Sequence, residues 1–199
     1  MSNRTDNGDF ILASASPRRR DLLRQVGLSF LVVPSRLRET NQRDMDSKSH
    51  ALYWAAAKAN DVARRYPQKW VLAGDTIVVL DGEILGKPAS SDEAKHMLSR
   101  LRGRSHSVIT GLCLMAVRVG VEERECVETT VYMNHIKDED IDGYVKTGEP
   151  MDKAGAYAIQ GIGGYLVRRI EGSYSNVVGL PLCEAIELLR RNRVTDLFK

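Results

Sequence analysis

Two stretches of the chain hold residue types able to act on a charged ligand. The first is Ser14-Ala15-Ser16-Pro17-Arg18-Arg19-Arg20, in which small hydroxyl side chains and a proline precede three arginines. The N–H groups of a first helical turn are unpaired and attract anions, and guanidinium forks add charge and bidentate hydrogen bonds. Cations at a helix start oppose the macrodipole, so arginines placed there call for a reason, and phosphate binding supplies one. A solvated basic helix start is the plainer alternative. The second stretch is Val71-Leu72-Ala73-Gly74-Asp75-Thr76-Ile77-Val78-Val79, with one carboxylate among strand-forming apolar residues. Burying such a group is costly unless it is paired or faces solvent. Asp75 therefore suits a general base or a divalent-metal ligand, with a turn-forming aspartate as the competing reading.

Further charged residues fall outside these stretches. Lys58 is a long cation within Ala55-Ala56-Ala57-Lys58-Ala59, able to reach an anion or simply to extend along the surface. Lys87 lies in Gly86-Lys87-Pro88, whose neighbours restrain the backbone and could aim the ammonium, although a surface turn would look the same. Glu39 lies in an Arg-, Asn- and Gln-rich loop where most glutamates are only solvated. The segment Asp152–Gly164 packs four glycines around Gln160, whose amide could read donor and acceptor groups on a base edge. That segment fits neither a Walker A loop nor a clean dinucleotide fingerprint, so a structural turn competes with ligand contact.

The elements that must position these groups follow from the pattern of apolar residues. Ile11–Ala13 ends a buried strand, and Ser16 is placed to cap a helix with Pro17 in its first turn. Ser29–Val33 resembles a second strand, and Pro34–Lys48 reads as loop. A helix is expected over Ser49–Tyr66, closed by Pro67. Trp70–Ala73 and Thr76–Leu80 are β-rich, with Gly74-Asp75 between them, and Asp81-Gly82 signals a hairpin into Glu83–Leu85. Ser91 or Asp92 is expected to cap a helix through Leu101. His106–Val119 and Glu125–Ile136 read as two strands around Gly120. A short helix from Asp138 to Gly148, a strand over Tyr165–Ile170 and a helix over Pro181–Arg191 complete the pattern. Alternation of strands and helices with an antiparallel pair in the middle favours a mixed α/β fold.

The 199 residues suit one domain able to bury a core, with 1–9 as a polar tail and 10–199 as a single unit. A hydrophobic fraction of 43% and a charged fraction of 28% are ordinary for a soluble protein. The formal net charge of +3 gives no global field for DNA or RNA, so no stable nucleic-acid partner is expected. The arginines at 190–193 end a helix-like run, where they complement the dipole. Cys113, Cys126 and Cys183 are widely separated, show no metal-ligand spacing and accompany no secretory signal, which implies a cytoplasmic setting. The four histidines are scattered, and no apolar run approaches a membrane span.

Taken in order, the blocks resemble the Maf family of nucleoside triphosphate pyrophosphatases. The resemblance begins at Leu12-Ala13-Ser14-Ala15-Ser16-Pro17-Arg18-Arg19 and continues through Gly74-Asp75-Thr76 and Gly86-Lys87-Pro88. Glu149-Pro150-Met151-Asp152-Lys153-Ala154-Gly155-Ala156-Tyr157, Ile159-Gln160-Gly161, Gly172-Ser173-Tyr174 and Val178-Gly179-Leu180-Pro181-Leu182 follow. Each block alone is weak, whereas the ordered set over about residues 10–190 is specific. The resemblance implies a mixed twisted sheet with flanking helices in an elongated two-lobed, inosine-triphosphatase-like fold with a central cleft. It implies hydrolysis between the α and β phosphates of a nucleoside triphosphate, assisted by Mg²⁺ or Mn²⁺, and a homodimer.

By the same resemblance, Asp75 is the acceptor of the water proton, and Glu39, Lys58 and Lys87 are the other charged catalytic groups. Ser14, Arg18 and Arg19 form the phosphate loop, and Glu39 and Asp75 are the metal-side carboxylates. Arg18, Thr76 and Gln160 match the branch of the family acting on dTTP and UTP; a sister branch acting on N7-methylated GTP carries Trp, Gln and Glu there. Two departures stand out. Ala73-Gly74 reverses the usual order of small residues before the acid, and Arg38 replaces a frequent acidic neighbour of Glu39, removing a metal-side charge. Two other classes remain open at this point: a nucleotide-binding regulator of septum formation with incidental hydrolysis, and a nucleotidyltransferase.

Overall fold

A computed structural model describes residues 10–39 and 45–197. The expected tail at 1–9 lies outside the described residues. Thirteen elements are used below: β1 (Phe10–Leu12), α1 (Pro17–Gln25), β2 (Phe30–Val32), α2 (Ser47–Arg65), β3 (Val71–Leu80), β4 (Glu83–Leu85), α3 (Ser91–Leu101), β5 (Ser105–Ala116), β6 (Val121–Met133), α4 (Asp138–Lys146), β7 (Val167–Glu171), α5 (Tyr174–Val178) and α6 (Leu182–Arg191). The strands form one seven-stranded mixed sheet in the order β2-β1-β3-β5-β6-β7, with β4 pairing to β3. The mixed α/β class expected from the alternation is therefore the one observed. The chain divides into two compact units. The first comprises Met1–Asp75, Thr110–Cys126 and Gly179–Lys199, and the second Thr76–Ile109 and Val127–Val178.

In the first unit β1 runs parallel to both β2 and β3. Its three residues are wholly buried, as the uninterrupted apolar run requires. The core is made of Ile11, Ala13, Val71, Ala73, Cys113 and Met115 together with Ala55, Ala56, Ala59, Val62 and Ala63 of α2. Small residues at helical spacing let α2 come close to the sheet. The approach is tightest at Gly111 of β5, where a Cβ would lie 2.4 Å from the carbonyl oxygen of Ala51. Helix α2 starts two residues before the expected Ser49, because Asp46 caps it by accepting from the N–H groups of Lys48 and Ser49, both at 3.0 Å. At the far end of α6, Arg191 reaches Glu123 and Glu125 of β6. The terminal arginines thus make specific ion pairs as well as complementing the dipole.

The second unit has its own core, built from Val78, Leu80, Leu98, Leu101, Val131, Met133, Tyr144, Tyr157 and Leu166 among others. Asp81 and Gly82 turn β3 into β4 with φ of 53° and 80°, the backbone an Asp-Gly hairpin demands. The cap of α3 is Ser90, neither the expected Ser91 nor Asp92, because it is Ser90 Oγ that accepts from the N–H of Glu93. Three further differences concern boundaries. β3 is one continuous strand through Gly74-Asp75. β5 gives way to a 3₁₀ turn at Val117–Val119 before Gly120, and β6 begins at Val121. The five-residue α5 had no sequence signal strong enough to be expected.

Candidate active site

The first unit gathers Ser14, Arg19, Glu39, Lys58 and Asp75. Ser14 follows the buried end of β1, and its Oγ accepts from the Ser16 N–H at 3.2 Å and from the Arg19 guanidinium at 3.1 Å. Ser16 occupies the N-cap position of α1, but its side chain makes no capping bond. The expected side-chain cap is therefore absent, and Ser14 Oγ instead takes up the Ser16 N–H and ties the turn to the helix through Arg19.

Arg19 is the third residue of α1 and is buried. Its Nε donates to the carbonyl oxygen of Gly179 at 2.7 Å. Burial pulls this guanidinium below its ordinary value, while the carboxylates of Asp75 and Glu39 act against that and Arg18 adds to it. A buried cation at a helix start is expensive, and here it is held by a carbonyl, a hydroxyl and two nearby anions. The plainer reading of the arginine run as a solvated helix start therefore fails for Arg19. Arg18, the residue before it on the helix, is half-buried.

Lys58 projects from the middle of α2, and its ammonium lies 2.7 Å from Asp75 Oδ1 and 2.5 Å from Glu39 Oε1. The Asp75 side chain is 5% exposed and that of Lys58 11%, whereas Glu39 is open to solvent at 57%. Asp75 sits inside a strand rather than at a turn. Gly74 beside it packs closely, since a Cβ there would lie 3.4 Å from both the Gly111 carbonyl oxygen and the Leu112 side chain. The cost of burying Asp75 is offset by the ammonium, and Lys58 is an ion-pairing group instead of a snorkelling one.

Two carboxylates that share one ammonium are near neighbours, and hard oxygens of this kind suit Mg²⁺ or Mn²⁺. Among the described residues no group of three or more His, Cys, Asp or Glu is placed to hold a metal ion. Glu39 and Asp75 fit a cation that takes one or two carboxylates and completes its shell with substrate phosphates and water. No helix among the described residues is long and apolar enough to cross a membrane.

Thr76, Lys87 and Gln160 belong to the second unit. Thr76 follows Asp75 directly on β3 and is half-buried, whereas Lys87 and Gln160 are exposed. The backbones carrying the last two are tied together, because the Gly155 N–H donates to the Gly86 carbonyl at 3.0 Å. Gly155 has φ +68° with Val78 Cγ1 2.9 Å from a would-be Cβ, so this glycine meets both a backbone and a packing demand. Nearby, buried His106 and Tyr157 share a hydrogen bond of 2.7 Å. Burial pushes His106 down to about 4 and raises the Tyr157 phenol.

Sequence reasoning had no means of finding the Gly179 carbonyl, because an acceptor on the backbone leaves no residue-type signature. It also missed Tyr144 and Glu149, which hold the segment bearing Gln160. The Glu149 carboxylate accepts from the Tyr144 phenol at 2.9 Å and from the N–H groups of Ile162 and Gly163 at 3.2 and 2.9 Å. Only the Gly-rich spacing around Gln160 hinted that something must pack against that backbone.

The family model described as Maf-like protein matches residues 9–192. A dTTP/UTP pyrophosphatase of Syntrophotalea carbinolica is 49% identical, the alignment covering 97% of this chain and 88% of the relative. A dTTP/UTP pyrophosphatase of Geotalea uraniireducens is 48% identical over 92% of this chain and 94% of the relative. Among solved structures, the Ham1 protein of Staphylococcus aureus superposes with a TM-score of 0.52 at 14% identity, covering 92% of this chain and 97% of its own, a likeness of fold alone. The family model spans the whole ordered set of sequence blocks, including every residue gathered around Lys58, and the chain belongs to the Maf family.

Proposed function

We propose that this protein is a nucleoside triphosphate pyrophosphatase that hydrolyses dTTP and UTP to the monophosphate and pyrophosphate. The observation that carries the reading is the Glu39–Lys58–Asp75 group beside buried Arg19, in a chain nearly half identical to proteins named for that activity.

The chemistry follows from the charges. Arg18, Arg19 and Lys58 bind the triphosphate and offset the charge that develops as the anhydride breaks, and the family resemblance assigns Lys87 to the same charge-offsetting role. Ser14 and the first turn of α1 receive phosphate oxygens. Asp75 accepts a proton from water as the water oxygen bonds to the α phosphorus, and the bridging oxygen departs with pyrophosphate. Lys58 fixes the direction of the Asp75 carboxylate for that transfer. Glu39 and Asp75 are the groups that would hold Mg²⁺ or Mn²⁺, which when bound polarises the phosphate oxygens. Arg18, Thr76 and Gln160 are the specificity residues, with the Gln160 amide matched to the donor–acceptor edge of uracil or thymine.

A panel of nucleoside triphosphates incubated with pure protein and Mg²⁺ or Mn²⁺ tests this. Pyrophosphate and the matching monophosphate are expected from dTTP and UTP over many turnovers. Tight binding without multiple turnovers, or no pyrophosphate from either nucleotide, would overturn it.

A further inference from the structure

We propose that Tyr144 and Glu149 are positioning residues that fix Gln160 and thereby set base selectivity; the inference rests on the reading of Gln160 as the base-contacting residue. Gln160 is exposed at the N-terminal end of a six-residue 3₁₀ helix, Gly161–Leu166, whose first residue has φ +70°. An amide side chain on such a backbone reads a base only if the backbone is held from both sides. One pair of side chains does this.

Tyr144 belongs to α4, and its ring is buried in the core of the second unit with Ile141 and Val145. Its phenol oxygen accepts from the N–H of Ala158 at 3.2 Å, two residues before Gln160. The same phenol donates to Glu149 Oε1 at 2.9 Å. Glu149 then accepts from the N–H groups of Ile162 and Gly163, two and three residues after Gln160. A phenol and a carboxylate in contact thus grip the chain on either side of the amide.

The glycines around Gln160 are the spaces this grip needs. A Cβ at Gly161 would lie 2.7 Å from Glu149 Oε2, and one at Gly163 would lie 2.5 Å from the Tyr144 phenol oxygen. The accepted hydrogen bonds hold Glu149 below the usual carboxylate range against its partial burial, while burial and the adjacent carboxylate raise the Tyr144 phenol. The pair is a neutral donor against an ionised acceptor, a strong hydrogen-bond combination. Every residue of this arrangement belongs to the second unit, and its hydrogen bonds end on the backbone to either side of Gln160, so its role is directed at Gln160.

The test compares Tyr144→Phe, Glu149→Gln and Gln160→Ala with wild type, using kcat/KM for UTP and for CTP, which differ only in the base. Loss of active protein lowers both values together and leaves their ratio unchanged, so the ratio reports positioning and not stability. All three variants are expected to lower the UTP-to-CTP ratio by roughly five- to tenfold, the size of one or two hydrogen bonds, and Tyr144→Phe is expected to add nothing in the Gln160→Ala background. Amide hydrogen exchange at Ala158, Ile162 and Gly163 is expected to quicken in Tyr144→Phe and Glu149→Gln. A wild-type ratio in both of those variants, with Gln160→Ala altered, overturns the positioning role and leaves the base reading standing. A wild-type ratio in Gln160→Ala overturns the base reading, and with it the selectivity role; unchanged exchange in Tyr144→Phe and Glu149→Gln overturns the grip itself.

Discussion

The ammonium of Lys58 donates to Asp75 Oδ1 at 2.7 Å while meeting Glu39 Oε1 at 2.5 Å, so that one cation from α2 joins a carboxylate of β3 to one of the loop after β2. Ion pairs taken out of water contribute little net stability, because desolvation offsets most of the attraction. An apolar trio would serve the fold as well. What the trio provides that an apolar one could not is an aimed carboxylate beside the buried Arg19 of α1.

Replacing Asp75 by Asn tests that carboxylate directly. The amide oxygen can still accept from Lys58, and Lys58 keeps Glu39, so the fold is expected to survive with only a small change in thermal midpoint. Proton acceptance is lost, and kcat is expected to fall by about 10²- to 10⁴-fold, the usual worth of a positioned general base. Pyrophosphate release measured beside the melting curve checks both. Activity near the wild-type level would reject the assignment.

Lys58→Met keeps the aliphatic stem but leaves two carboxylates without their shared cation. Removing one partner of a buried pair costs about 3–5 kcal/mol, and the solvent open to Glu39 places this case at or below the lower end. The freed carboxylates then form a better cation site. In the variant, without nucleotide, Mg²⁺ is expected to raise the melting temperature relative to EDTA by more than it does in wild type. Equal shifts in the two proteins would show that the carboxylates do not hold the metal.

How much of this arrangement the sequence carried depends on the kind of interaction. Strand β1, helix α1 and the hairpin at Asp81-Gly82 were legible because local patterning and turn chemistry specify them. That Asp75 would need a partner was legible, because a charge in apolar surroundings is costly to bury alone. The identity of that partner was not, since Lys58 lies seventeen residues from Asp75 and only tertiary packing joins them. The break expected at Gly74-Asp75 came from reading glycine as a turn, whereas here it permits close approach inside a strand. Ser16 stands at the expected cap position but makes no side-chain capping bond, and for α3 the cap is Ser90 in place of the expected Ser91 or Asp92.

Gly111 is the point at which packing controls the site. A Cβ there would meet Ala51 and Leu52 backbone atoms at 2.4 to 2.7 Å, and backbone cannot step aside as a side chain can. Gly111→Ala is expected to push α2 from the sheet, costing roughly 1–3 kcal/mol or more and displacing Lys58 two turns along the helix. Activity per folded molecule should fall with it. Gly143→Ala in α4, where nothing lies within 4 Å, is the matching control. It is expected to gain about 0.5–1 kcal/mol with activity unchanged. Urea unfolding together with active-site-normalised turnover separates the two outcomes.

His106 makes stability depend on pH in a defined window. Its folded value is about 4, lowered by burial, against an ordinary value near 6.5. Between these two pH values the unfolded chain binds a proton that the native protein does not. Stability is therefore full above about 6.5, declines as the pH falls towards 4, and levels off below it, with a total loss of about 3 kcal/mol from this residue. His106→Phe removes the titration, while leaving the Tyr157 phenol without the imidazole that faces it at 2.7 Å. The variant is expected to be less stable at pH 7.5 by roughly 1–3 kcal/mol, the cost of a buried hydroxyl losing its partner. It should also lose less stability than wild type on going to pH 4.5, so the two unfolding curves converge. Urea midpoints across this range measure the convergence directly, and parallel curves would show that the imidazole is not the group that titrates.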